Sequence, residues 1–250
     1  MIIGNLEKVI ATARDQVLPR RPDDPGRGSR RGARRFIRFS LVHVVSSIGK
    51  MRLNLRKVNH FDFCDRLALR RLLPKHGDKF VDVCGGYGRL ADEYSGKYKE
   101  AYLFDLAPNL LAQAKNTYGD RLKTVQGSVY DMPFDTGKFD ALIMVRAALH
   151  LTDLNAAVKE LNRILKDKGA AVIEIANKRN FFEILRWLFR RSAFRPFSME
   201  TESIHKTGFF WYHPRYVEQI FRQNGFNIKK VVGWLKWSPS IFYLLKKETA

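Results

Sequence analysis

A short β-prone run, Phe80-Val81-Asp82-Val83, leads into Cys84-Gly85-Gly86-Tyr87-Gly88 and then into Arg89-Leu90-Ala91-Asp92-Glu93-Tyr94, which reads as a helix. A strand, a glycine turn and a helix in that order bring bare backbone and helix N–H groups close to a ligand, with few side chains in the way. About twenty residues on, Ala101-Tyr102-Leu103-Phe104 forms a second apolar run that ends on Asp105. A carboxylate at the end of a second strand is placed to accept both hydroxyls of a ribose. The chemistry these residues can do is therefore nucleoside binding. Gly86-Tyr87-Gly88-Arg89-Leu90-Ala91 also satisfies the GxGxxA form of a dinucleotide fingerprint. Asp82 argues against that reading, because it sits inside a strand end that stays apolar in dinucleotide sites.

The elements that must position these groups follow from the rest of the pattern. Runs near 80–84, 101–105, 123–126, 139–145, 170–176, 227–233 and 240–246 read as seven strands. Pro108 suits the first turn of the helix after the second strand. A helix, Asn224-Gly225-Phe226 and two strands suggest a terminal hairpin. The chain has 250 residues, 45% of them hydrophobic and 28% charged. That is enough for one α/β domain with an extension, and it excludes a wholly disordered or disulfide-scaffold protein. The two cysteines, Cys64 and Cys84, have no metal-ligand spacing, so no metal site is expected and a reducing compartment is. No stretch approaches the ~20 apolar residues of a membrane span. Glu7 and Lys8 interrupt the place of a signal peptide's apolar run. The expectation is a cytoplasmic protein, with a membrane-peripheral location as the variant discussed below.

Charge is distributed unevenly. Residues 1–79 hold 19 basic and 7 acidic side chains, net +12; residues 80–177 hold 12 and 13, net −1; residues 178–250 hold 14 and 5, net +9. Of the 31 aromatic residues, 17 lie in the last 73 positions. Basic flanks around a neutral middle fit surface helices, and equally a partner that is anionic and partly apolar. Residues 1–55 read as a basic extension: a short amphipathic helix on Ile3, Leu6, Ile10, Ala13 and Val17, then a flexible Pro/Gly/Arg-rich arm at 19–35.

Taken together, VDVCGGYGRL, FDLAPNLLAQAK, DMPFDTGKFDALIMVRAALHL and ELNRILKDKGAAVIEI resemble the class I S-adenosylmethionine (SAM)-dependent methyltransferases. The nearest branch is the small-molecule one that includes ubiquinone and menaquinone biosynthesis enzymes. The similarity covers roughly residues 60–250. It implies a Rossmann-like, seven-stranded, mostly parallel sheet with an antiparallel last strand and helices on both faces, in a domain over 56–250. It also implies SAM as cofactor: Asp82, Cys84, Gly86 and Gly88 around the methionine portion, Asp105 on the ribose and Leu106 against the adenine face. Ser128 and Val129 would meet the adenine edge, and Arg146 would lie at the end of the fourth strand. Cys84 departs from the family's first glycine, and Ser128 stands where an acid is common. Asp82 also has a reading as a loop-organising carboxylate that never touches ligand.

Methyl transfer from a sulfonium is a direct displacement, so the protein must align the reactants, exclude water and at times take a proton from the acceptor. His150, after the fourth strand, is the first candidate base, ahead of His213 and His205; Tyr212 could hydrogen-bond the acceptor. Packing or capping roles are open for all of them. After the fourth strand the chain reads Val145-Arg146-Ala147-Ala148, without the Asn/Asp-Pro-Pro-aromatic segment of many exocyclic-amine methyltransferases. No cysteine is placed to attack a pyrimidine. The acceptor expected is a small-molecule or lipid-like compound, anionic or hydrophobic. An aromatic and basic insertion at about 178–212 supports this. In it, Phe181, Phe182, Ile184, Leu185, Leu188 and Phe189 share one helical face, with Glu183, Arg186 and Arg190 opposite. Such a helix suits either a lid with its apolar face inward or the interface of an anionic membrane. Phe209-Phe210-Trp211-Tyr212 either lines the same pocket or packs the core. Two rival functions remain: an RNA methyltransferase that uses the arginine arm on tRNA or rRNA, and a non-catalytic SAM-binding regulator.

Overall fold

The computed structural model describes residues 55–189, 195–199, 201–204, 209–233 and 239–249, with the backbone alone described at 55–60 and 202–204. The N-terminal amphipathic helix, the arginine arm and His205 lie outside the described residues. The elements in chain order are α1 (Leu55–Leu72), β1 (Gly77–Val83), β2 (Tyr98–Asp105), α2 (Pro108–Tyr118), β3 (Lys123–Gln126), β4 (Phe139–Met144) and α3 (Leu154–Ile164). They continue with β5 (Leu165–Ala176), α4 (Phe181–Leu188), β6 (Glu202–Ile204), β7 (Phe209–Trp211), α5 (Pro214–Gln223), β8 (Phe226–Val232) and β9 (Ser240–Lys247).

Near-continuous apolar runs in β1, β4 and β5 mark strands covered on both faces. They form the centre of a seven-stranded sheet ordered β3-β2-β1-β4-β5-β9-β8. β1 pairs in parallel with β2 and β4, β2 with β3, and β4 with β5. β9 runs antiparallel to both β5 and β8, so the terminal hairpin exists and only the last strand is reversed. Alternate residues feed two cores. Val81, Phe104, Leu142 and Ile173 pack with Leu161 of α3 and Val217 and Phe221 of α5. Phe80, Leu103, Ile143 and Val172 pack with Leu69 and Leu72 of α1 and Leu111 of α2. Each such side chain contributes about 1.5–3 kcal/mol by leaving water.

Local signals agree with this packing. In α3, Leu154, Ala157, Val158, Leu161 and Ile164 are buried at the spacing of one helical face. Asp153 caps it by accepting the Ala156 N–H at 2.9 Å. The stretch 89–94, read as a helix, is turns around a single 3-10 turn at Ala91–Glu93, and two further features depart from the sequence expectation. β5 begins at Leu165 rather than near 170, because the strand passes through a register shift opposite Phe139 and a left-handed Lys168 (φ 60°). Pairing with β4 breaks at Lys166-Asp167-Lys168-Gly169 and resumes at Ala170. The second of these is the small β6–β7 hairpin inside the insertion.

The strand order reverses between β1 and β4. Loops leaving their carboxyl ends therefore diverge and leave a crevice, the place where open α/β sheets bind ligands.

Candidate active site

The loop after β1 turns through left-handed backbone at Cys84 (φ 56°), Gly86 (φ 59°) and Gly88 (φ 78°). Cys84 is the residue for which that geometry is costly, by about 1–2 kcal/mol. Gly85 is needed for a different reason. A Cβ there would lie 2.5 Å from both Asp82 Cγ and Leu103 Cδ1. A Cβ on Gly86 would meet nothing nearer than Leu110 Cδ1 at 3.6 Å, so this stretch of backbone is open on its outer side.

Asp105 closes the loop against β2. Its Oδ2 accepts the Gly86 N–H at 2.8 Å and its Oδ1 the Ala107 N–H at 2.9 Å. Gly85 N–H donates to the Phe104 carbonyl at 3.2 Å beside them. A carboxylate offers about four acceptor positions, so two remain for hydroxyl donors. The charge that a ribose-binding site needs is thus held in place before any ligand arrives.

Asp82 lies one layer deeper, 2% exposed, and its Oδ2 accepts the Tyr94 hydroxyl at 3.0 Å. Burial pushes its carboxyl up to about 7, against the lowering pull of the Tyr94 hydroxyl and the Arg89 charge. Burial, with the Asp105 and Asp82 charges, pushes the Cys84 thiol up to about 12. Cys84 is therefore a protonated, unreactive thiol at neutral pH.

At the carboxyl end of β4, Arg146 also takes a left-handed conformation (φ 61°), and its N–H donates to Glu174 Oε2 at 2.9 Å. Its guanidinium grips Asp65 of α1 with both prongs, Nη2 to Oδ1 at 3.0 Å and Nε to Oδ2 at 3.2 Å. Asp65 Oδ2 also accepts Arg89 Nη2 at 2.9 Å. From Arg89 the alternation of charge continues through Asp62, Arg66, Glu93 and Arg70. Helix α1 is thereby pinned both to the glycine loop and to the end of β4. Glu174, buried beneath Arg146, has its carboxyl raised by that burial, with the Arg146 charge opposing.

The remaining candidates fall into three places. Leu106, after β2, is 60% exposed, and its carbonyl accepts Gln126 Nε2 at 3.2 Å. After β3, Ser128 Oγ accepts the Tyr130 N–H at 3.3 Å and Val129 is buried. In the turn after β4, His150 stacks edge-on with Phe209, ring centroids 4.9 Å apart, and partial desolvation lowers its pKa below the usual histidine value. Tyr212 is buried, and its hydroxyl donates to the carbonyls of Ala148 and Leu151 at 3.2 and 3.1 Å, tying down the same turn. His213 is the N-cap of α5: Nδ1 accepts the Arg215 N–H at 3.2 Å. Of the three described side chains among the four considered for chemistry, His150 is the exposed one. Among the described residues, no three His, Cys, Asp or Glu side chains converge on a metal-sized site.

Residues 81–173 match the family model described as a methyltransferase domain. The chain is 31% identical over 115 residues to a 2-phytyl-1,4-naphtoquinone methyltransferase of Trichormus variabilis, covering 43% of this chain and 50% of that protein. It is 27% identical over 144 residues to a ubiquinone/menaquinone biosynthesis C-methyltransferase of Hahella chejuensis, covering 54% of each. The chain thus spans about half the length of the curated relatives it matches. In fold it is similar to a SAM-dependent methyltransferase of Thermotoga maritima (TM-score 0.62, 17% identity, 84% of this chain and 98% of that one). It is similar also to one of Clostridium acetobutylicum (TM-score 0.58, 14% identity, 82% and 100%). Residues 81–173 thus match a methyltransferase domain, and the sheet around them has the fold of the SAM-dependent methyltransferases it is similar to.

Three residues of this methyltransferase domain that hold the loop cluster together escape a reading of the sequence. Gly85 was visible as part of a glycine run, but its contact with Asp82 was not. Asp65 and Glu174 gave no local signal, since their partners lie 81 and 28 residues away. Asn180 caps α4 by accepting the Glu183 N–H at 3.1 Å, and it is Glu183 that turns inward, while Phe181, Phe182, Leu188 and Phe189 stand outward.

Proposed function

We propose that the protein is a SAM-dependent methyltransferase acting on a small, hydrophobic, lipid-like acceptor. The observation that carries the cofactor half is the Asp105 carboxylate, fixed by two backbone N–H groups across the glycine loop with acceptor positions to spare. SAM, when bound, supplies a methyl group already activated on a sulfonium. Asp105 would accept the ribose hydroxyls, and Leu106 would give the adenine an apolar face beside Ser128 and Val129. Cys84, Gly86 and Gly88 let the backbone approach the methionine portion. Asp82, whose carboxyl burial raises to about 7, would gain a counter-charge from a nearby cation, and this favours its ionised form. Arg146 holds the end of β4 in register with the loop through Asp65.

The acceptor half rests on two supports. The curated relatives are named for naphthoquinone, menaquinone and ubiquinone methylation, and the described loops around the carboxyl ends of the strands carry exposed apolar side chains. His150, with its lowered pKa, is neutral at pH 7 and so able to take the acceptor's proton. Phe209 packs edge-on against it.

The purified full chain, incubated with methyl-labelled SAM and cell extract, tests this. Products are separated into organic-extractable, small aqueous and nuclease-sensitive pools. Label is expected in the organic pool. Label in the nuclease-sensitive pool would replace the acceptor by RNA; SAM binding with no label in any pool would make the protein a non-catalytic SAM binder.

A further inference from the structure

We infer that the rim of the active site is a docking face for an anionic lipid bilayer, with α4 lying in the membrane interface. Three observations converge on it.

The first is the orientation of α4. An amphipathic surface helix normally turns its apolar stripe to the protein. Here Glu183 is 7% exposed, whereas Phe182, Leu188 and Phe189 are each 64% exposed. The helix is capped at Asn180 and ion-paired between Glu183 and Arg186, so the arrangement is built into the element and does not come from a frayed end.

The second is location. Among the described residues, the exposed large apolar side chains gather at one edge of the sheet. Tyr87, Leu106 and Tyr130 follow the carboxyl ends of β1, β2 and β3, and α4 follows that of β5. Phe61 of α1 reaches the same edge, its ring 5.1 Å from the Arg146 guanidinium. Val231, on the outer strand β8, lies elsewhere, and Phe63 of α1 is a further exposed ring outside this set. A random scatter of surface hydrophobics is ordinary, but a one-sided set around a binding crevice marks a contact surface.

The third is charge. Arg179 stands among these apolar groups, its guanidinium over the Phe197 ring at 5.6 Å, and the chain as a whole carries +20. Aromatic and aliphatic groups interleaved with arginine suit the headgroup boundary of an anionic leaflet, where the rings enter and the guanidinium groups pair with phosphate. No helix among the described residues is long and apolar enough to cross a membrane, so the contact is interfacial.

The test is flotation of the full chain with vesicles of phosphatidylcholine alone and of phosphatidylcholine with 30% phosphatidylglycerol (about the anionic content needed for a polybasic surface to respond). No SAM or acceptor is present, so failure here leaves the methyl-transfer reading intact, and the reverse holds too. Binding is expected to be at least about tenfold stronger on the anionic vesicles, and Trp187 is expected to be quenched by brominated lipid. The variant Phe182→Ser/Leu188→Ser/Phe189→Ser should lose roughly tenfold in vesicle binding while keeping its SAM affinity, which shows that it is folded. If this variant floats as well as the parent, the basic flanks bind alone and the α4 face is not a membrane face. Absence of flotation, or a concentration-dependent dimer that the variant abolishes, would likewise overturn the inference.

Discussion

Asp82 shows how one buried carboxyl can couple folding to pH. Its folded pKa of about 7 lies well above the ordinary aspartate value near 3.9. Between about pH 4 and 7 the folded chain therefore holds a proton that the unfolded chain has released. The stabilisation is full below pH 4 and is lost as pH rises through 7, by up to roughly 1.4 kcal/mol per pH unit. Asp82→Asn keeps an acceptor for the Tyr94 hydroxyl and removes the titration. Thermal melts from pH 4.5 to 8 should thus show a flatter pH dependence in the variant than in the parent. Parallel curves would mean that Asp82 is already ionised in the folded loop. The sequence placed Asp82 and Asp105 beside the same ligand but not in their separate layers. Depth depends on Tyr94 and Leu103 closing over Asp82, and neighbours so far along the chain leave no local mark.

At the scale of elements, α1 is joined to the sheet by charge as well as by its apolar face. Asp65 is 1% exposed and accepts from both Arg146 and Arg89, so its removal leaves two cations facing each other over the crevice. Asp65→Ala is expected to destabilise the protein by about 2–3 kcal/mol, below the full cost of breaking a buried pair because both arginines are partly solvated. Asp65→Glu, with the same charge on a longer stem, should recover part of this. Urea unfolding measures both; a loss under about 0.5 kcal/mol in Asp65→Ala would show that Arg146 and Arg89 find water instead. The strands were legible in advance because buried parallel strands write themselves as apolar runs. The direction of α4 was not. Periodicity gives a helix two faces, and which one turns inward is decided by the groups it meets; here it is the face of Glu183.

Across the whole molecule, the order β3-β2-β1-β4-β5-β9-β8 puts the glycine loop, Asp105 and Arg146 at one edge, and the motif spacing along the chain was enough to anticipate it. The sheet could be read from sequence because its buried strands are apolar runs and successive parallel strands β1–β2 and β2–β3 lie side by side, which leaves few arrangements. The network around Asp65 could not, because it joins residues from α1, the glycine loop and β4. The proposed function requires that this edge bind SAM through Asp105. Calorimetric titration of the full chain with SAM, alongside Asp105→Ala, measures it most directly. One saturable site is expected, weakened about ten- to hundredfold by loss of the charge-assisted hydrogen bonds. Equal affinity in the two proteins, or no heat of binding in the parent, would contradict it.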